Sequence, residues 1–305
     1  MFKNTVNLLV SFGKKSLGFL LFIVCGVAIY KKVLENENWA QYGEKIKAQF
    51  LTISFNQWVI LLLLMCLNFF IESIKWHHVV AKNNPISISK SIRSVFVGQS
   101  FAFFTPNRIG EYVGRTLFLE EGNKMIGMAQ MAWTSYAQLL ITILVGSLAL
   151  TINLPFYPWL KWLSPLLGIV ASFLYFYRKE WKGWAVYFNI LQIPTASKAR
   201  LLLLSFFRYF VFTLQYVWAA HMLGMQIPLL DLVSSIAVLF LCLSILPTIS
   251  ITELVIRGQL LLVILAPFYP IKIMIISLST LIWVVNFLLP AIIGTFLLLG
   301  YRLKQ

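Results

Sequence analysis

The feature that most constrains this chain is a succession of long apolar runs whose charged residues gather in the connections between them. The runs cover about Leu17 to Tyr30, Gln57 to Trp76, Met125 to Ile152, Trp159 to Tyr177, Leu201 to Leu223 and Leu229 to Leu246. A last pair covers Ile251 to Ala266 and Ile271 to Leu299. A helix needs about 20 apolar residues to cross hydrocarbon. Only 11% of the 305 residues are charged, against roughly a quarter in a soluble domain, so a water-facing surface is excluded. The expected fold is all-α: one polytopic integral membrane bundle over 1–305, with about eight crossings plus broken or re-entrant segments.

The net charge of +15 and pI of 9.8 would suggest nucleic acid as the partner of a soluble chain. Here the basic residues flank apolar runs, where the positive-inside bias and anionic headgroups place them. Membrane lipids are therefore the expected partner, and no nucleic acid is. Cys25, Cys66 and Cys242 each fall inside an apolar run, without disulfide or metal spacing. Asp231 is the only aspartate, and His77, His78 and His221 are the only histidines. That scarcity weighs against an enzyme, and no cofactor or metal is expected.

Lys3, Lys14 and Lys15 precede the first run, and Lys31 and Lys32 follow it without a small-residue cleavage site. It reads as a retained helix rather than a signal peptide. A polar stretch from Glu35 to Lys47 separates it from the second helix. The loops Asn153 to Pro158 and Gly224 to Pro228 hold no Lys or Arg, whereas Arg178 to Arg200 holds five. These counts orient the chain with a cytoplasmic N-terminus, and the expected location is the plasma (inner) membrane. The Ile251 run either crosses or dips. Trp159, Trp162, Trp181 and Trp184 suit an interfacial belt.

A span beginning near Ser94 cannot be one clean helix, because Pro106, Gly110 and Gly114 interrupt it and Arg108, Glu111 and Arg115 charge its middle. In FAFFTPNRIGEYVGR, residues 101–115, the charges recur at helical spacings of three and four, which puts them on one face. Thr105 suits an N-cap and Pro106 a first helical position, so a short helix is expected to turn its positive end toward an anion. Ordinary ion pairing in a cytoplasmic loop is the plainer reading. Ionisable groups at membrane depth are costly and usually functional.

A second interruption, ILPTISITELVIRG at 245–258, holds Pro247, a Ser250 to Glu253 capping-box pattern and Arg257. Glu253 could serve the helix start alone. Both segments, however, place a Glu four residues before an Arg after a proline break, one in each half of the chain. Transporters build midplane sites from such paired interruptions, and the shared layout suggests an internal repeat. Arg208, on a face with Ser205, Phe212 and Gln215, either snorkels to the surface or lines a polar path with Gln215. Asn68, Glu72 and Lys75 form a polar stripe in the second run, where Glu72 pairs either with Lys75 one turn on or with an arginine elsewhere, in a structural role.

At TPNRIGEYVGR the chain resembles the flippase-like membrane domains typified by the N-terminal region of bifunctional lysylphosphatidylglycerol synthases, the multiple peptide resistance factors. Pro106, Arg108, Gly110, Glu111 and Arg115 fill that family's early pattern, and Pro247, Glu253 and Arg257 look like its later one, without the usual glycines. Where members often carry charge in the following helix, this chain has Trp133, Thr134, Ser135, Tyr136 and Gln138. The resemblance covers nearly the whole chain. It implies a stand-alone relative without the soluble synthase domain. Such a relative moves or binds an anionic or aminoacylated phospholipid, or a polyprenyl-phosphate lipid, made by a separate lipid-modifying enzyme.

In that mechanism Arg108 and Arg115 hold a headgroup phosphate while Glu111 and Glu253 hold an amine or balance the arginines. Two rival readings stand beside it. One is a membrane-embedded transferase acting on a lipid phosphate, for which Glu35, Glu37 and Glu44 are the available bases. The other is an accessory subunit without transport of its own.

Overall fold

The computed structural model describes residues 27, 39–81, 83–153, 160–177, 193–246 and 250–302. They are helical throughout, with turns between and no strand among them. The order is α1 (Trp39–Thr52), α2 (Phe55–Val80), α3 (Ile88–Phe104), a 3-10 turn (Pro106–Arg108), α4 (Gly110–Thr116) and α5 (Lys124–Asn153). There follow α6 (Leu160–Phe176), α7 (Thr195–Met222), α8 (Leu229–Ile245), α9 (Ser250–Leu265) and α10 (Lys272–Trp283). A π turn (Val284–Leu288) then leads directly into α11 (Leu289–Arg302).

Among the described residues, four helical stretches are long and apolar enough to cross a membrane: Phe55–Val80, Lys124–Leu150, Thr195–Met222 and Lys272–Gly300. They coincide with four of the runs read from the sequence. At 16 or 17 residues, α6, α8 and α9 reach about 24–26 Å at 1.5 Å per residue. The first run (Val27 aside), Pro247 and most of the Arg178 to Arg200 loop lie outside the described residues, as do the side chains of Trp159, Trp162, Trp181, Trp184 and Ser250.

Local chemistry sets the helix starts. Ser54 N–H donates to Gln57 Oε1 at 2.9 Å at the head of α2, and Ser87 Oγ accepts from the Lys90 amide at 3.2 Å at the head of α3. That cap places the start of α3 at Ile88 rather than near Ser94. Pro194 and Pro228 stand immediately before α7 and α8, where a fixed φ and a missing N–H cost nothing. Part of the polar stretch before the second helix is itself helical. In α1 the four-residue spacing of Ile46 and Phe50 lets both pack on the core, while Glu44 and Lys47 face outward.

One core joins α2, α5, α7, α8, α9 and α10 through Trp76, Leu140, Tyr216, Ile236, Leu261 and Ile275, all essentially inaccessible. The outer faces are apolar too. Leu63, Leu67 and Phe70 on α2 and Phe206, Phe207 and Phe210 on α7 are exposed, the surface of a membrane-embedded protein rather than of one bathed in water. Helices meet closely at small residues. A Cβ on Gly294 of α11 would come within 1.9 Å of Phe96 O on α3. Beside it, Ser100 Oγ donates to Ala291 O at 2.9 Å.

Candidate functional site

The break after Phe104 folds α4 back against α3. Thr105 Oγ1 donates to Phe101 O at 3.0 Å and accepts from the Gly110 amide at 2.8 Å, which pins the reversal. A Cβ on Gly114 would lie 2.8 Å from Gly98 Cα, so the two helices cross at glycine on both sides. The expected anion cradle at the start of this short helix is not formed. Thr105 already occupies the first amide, because its hydroxyl lies inside the reversal. Arg108 adopts φ +57°, the only positive φ outside glycine among the described residues. A left-handed residue costs about 1–2 kcal/mol, and here it turns the guanidinium inward.

Charge from four helices converges beside this hairpin. Glu72 of α2 faces Lys75 at 3.2 Å, Arg115 at 2.8 Å and Arg208 at 3.1 Å. Glu111 pairs with Arg115 and, at 3.4 Å, with Arg108. Gln99 accepts from Arg108 and donates to Glu111 at 3.1 Å. The α4 charges thus share one face, as the spacing predicts, but the pairing reaches 43 residues back to Glu72. Burying such charges is tolerable only when each has a partner and its remaining bonds are made.

The second interruption arrives at the same place. Arg257 donates to Glu253 and to Tyr216 Oη, the latter at 2.6 Å. Its guanidinium lies 5.1 Å from the centre of the Phe287 ring, and that of Arg108 lies 5.0 Å from it. Both are within cation–π range. Phe287 sits in the π turn, where the Leu289 amide donates to Val284 O, five residues back. Pro290 follows. A proline lacks the amide for an ordinary helical bond and clashes with the carbonyl four residues before it, which accounts for a widened turn there.

These groups line a cavity of about 710 Å³. Arg208 turns into it, donating to Asn68 Oδ1 at 2.8 Å, so it joins a polar path rather than snorkelling outward. Gln215, its expected partner on that path, instead donates to Leu61 O at 3.2 Å and is not part of the wall. Thr134, Ser135, Gln138 and Thr142 of α5 supply a neutral polar wall. The rim is apolar on one side, where Leu139 and Ile245 are exposed.

The fixed charges do not balance. The cavity wall carries Lys75, Arg108, Arg208 and Arg257, and Arg115 lies directly behind it, bonded to Glu72 and Glu111. Against these five cations stand Glu72, Glu111 and Glu253. Two positive charges are left in excess among the described residues.

Of the residues singled out in the sequence, Arg108, Glu111, Glu253, Arg257 and Arg208 line the cavity and Arg115 backs it. Thr105, Pro106 and Gly110 shape the hairpin without reaching it. The sequence reading gave Glu72 a structural role with Lys75 or a distant arginine, and the structure shows both kinds of partner; it missed Gln99 and Phe287. A proline inside an otherwise continuous apolar run, Pro290, is the signal that could have drawn notice to Phe287. Compared with family models, curated proteins and solved structures, the chain finds no match.

Proposed function

We propose that this chain is a flippase-like lipid translocase of the plasma (inner) membrane. In this reading the cavity takes the headgroup of an anionic or aminoacylated phospholipid, or of a polyprenyl-phosphate lipid, while the acyl chains stay in the bilayer. The observation that carries it is the pairing of an ionic cavity with an exposed apolar rim at Leu139 and Ile245. A polar headgroup can enter sideways there without drawing its tails into water. Catalysis of leaflet exchange requires only that the headgroup find inside the protein the charge partners it has at the interface.

The topology that fits places the N-terminus in the cytoplasm, with about eight crossings. The Pro106 and Pro247 interruptions then form two facing halves of one site, as in transporters built from repeats. Arg108 and Arg257, one from each interruption, meet on Phe287.

The test is reconstitution into liposomes with a fluorescent phospholipid whose outer-leaflet fraction is bleached chemically. The intact protein is expected to accelerate loss of the protected inner-leaflet signal, and Arg108→Ala and Glu111→Ala to abolish the acceleration. Equal rates for all three would end the translocase reading.

A further inference from the structure

We infer that the cavity selects a lipid ending in a phosphate monoester, which carries close to two negative charges at neutral pH, over an aminoacylated or singly charged phospholipid. This rests on the translocase reading for the lipid and on the charge count for the phosphate.

The excess positive charge has a definite location. The Glu72 and Glu111 side chains are 6% and 13% exposed, and the Lys75 and Arg115 side chains paired with them only 1%. In the second interruption the Arg257 and Glu253 side chains are 4% and 9% exposed. The carboxylates therefore neutralise the inner cations. Arg108 and Arg208 share Glu111 and Glu72 with those inner cations, at 3.4 Å and 3.1 Å, and remain open to the cavity, with side chains 32% and 24% exposed. They belong to different elements, the 3-10 turn and α7, and both face the same space.

A guanidinium presents planar, paired donors that match phosphate oxygens. Two such groups, together holding the surplus of two charges, are met by one dianionic phosphate. A phosphodiester headgroup leaves one positive charge unmatched. An aminoacyl ester adds a positive charge and worsens the imbalance. The carboxylates that would receive an amine are already taken by protein cations. Ser135 Oγ, which accepts from Tyr112 Oη at 3.2 Å, keeps its own proton to donate to the phosphate, and the rim at Leu139 and Ile245 leaves room for tails.

The experiment is native mass spectrometry of the protein released from nanodiscs holding equal mole fractions of dioleoyl phosphatidic acid, dioleoyl phosphatidylglycerol and lysyl-phosphatidylglycerol. Phosphatidic acid is expected to be retained at least tenfold over each of the others. Arg108→Gln should bring that ratio toward one in a protein that still melts cooperatively. Equal or preferred retention of lysyl-phosphatidylglycerol by the unaltered protein overturns the inference without recourse to any variant. Inorganic phosphate titrated into the nanodiscs distinguishes the sources. Displacement of phosphatidic acid at equimolar phosphate shows a soluble phosphate site and overturns the lipid assignment, whereas no displacement supports it. Selective retention without leaflet exchange in liposomes overturns the translocase reading and leaves the phosphate selectivity standing.

Discussion

Arg115 donates to Glu72 at 2.8 Å, and that single contact ties the hairpin after Pro106 to the middle of α2. Glu72 is the common partner of three cations. Its loss therefore costs more than the loss of any one of them. Removing one member of a buried ion pair costs about 3–5 kcal/mol, and Glu72→Gln is expected to fall in that range. Lys75→Met should cost less than Glu72→Gln, because it leaves Glu72 paired with Arg115 and Arg208. Unfolding in detergent by a denaturing surfactant measures both, and equal losses would mean that Glu72 is not the centre of the network.

Arg108 separates backbone strain from side-chain function. Arg108→Gly relieves the left-handed φ and is expected to leave stability unchanged or raise it by about 1 kcal/mol, yet to abolish lipid exchange. Arg108→Ala keeps the strain and should be equally inactive but less stable. A scrambling assay beside a thermal melt reads the two effects apart, and a Gly variant with normal exchange would remove the guanidinium from the mechanism.

Phe287 is a ring shared by the two interruptions. Each cation–π contact contributes about 0.5–2 kcal/mol. Phe287→Leu is expected to slow exchange roughly tenfold, the kinetic equivalent of about 1.4 kcal/mol, while Phe287→Tyr retains most of the rate. Identical rates for Leu and Tyr would show that only bulk matters at this position.

The glycine crossing of α3 and α11 admits no larger residue. With a Cβ at Gly294 set 1.9 Å from Phe96 O and 2.4 Å from Ser100 Oγ, Gly294→Ala must push a helix backbone aside, at a cost of about 1–3 kcal/mol. Gly300, with open space around it, is the control. Gly300→Ala should leave the melting midpoint in place, and Gly294→Ala should lower it.

Cys66 tests the depth of α2. It is exposed on the apolar face near the middle of a helix long enough to cross the bilayer. Thiols react as thiolates, which hydrocarbon suppresses. A charged maleimide is expected to leave Cys66 unmodified in intact vesicles and to label it after unfolding. Rapid labelling in vesicles would place this face in water.

Much of this was legible in the residues. Long apolar runs announced the helices because hydrophobicity over some twenty positions survives any local detail, and the i,i+4 pairs Glu111 with Arg115 and Glu253 with Arg257 were legible because they are local. For Glu72 the residues offered Lys75 one turn on or an arginine elsewhere, and both are found; that the arginines are Arg115 and Arg208 depends on crossings between helices that no local spacing encodes. The anion cradle was misjudged for a similar reason. A proline after a threonine predicts a helix start, but the hydroxyl's reach back to Phe101 O and forward to the Gly110 amide depends on a reversal that sequence does not display.

The widened turn before Pro290 is a lasting seam in the last long helix. An extra residue lodged in a helical ladder ordinarily has freedom to migrate along it, but here the imino acid behind it blocks that exit, so the seam stays level with the ionic pocket. Resistance to bending drops where the ladder is open. Tilting between the segments on either side of Val284–Leu288 therefore concentrates at the ring that both arginines touch, and any flexing of this helix is felt first by those two guanidiniums.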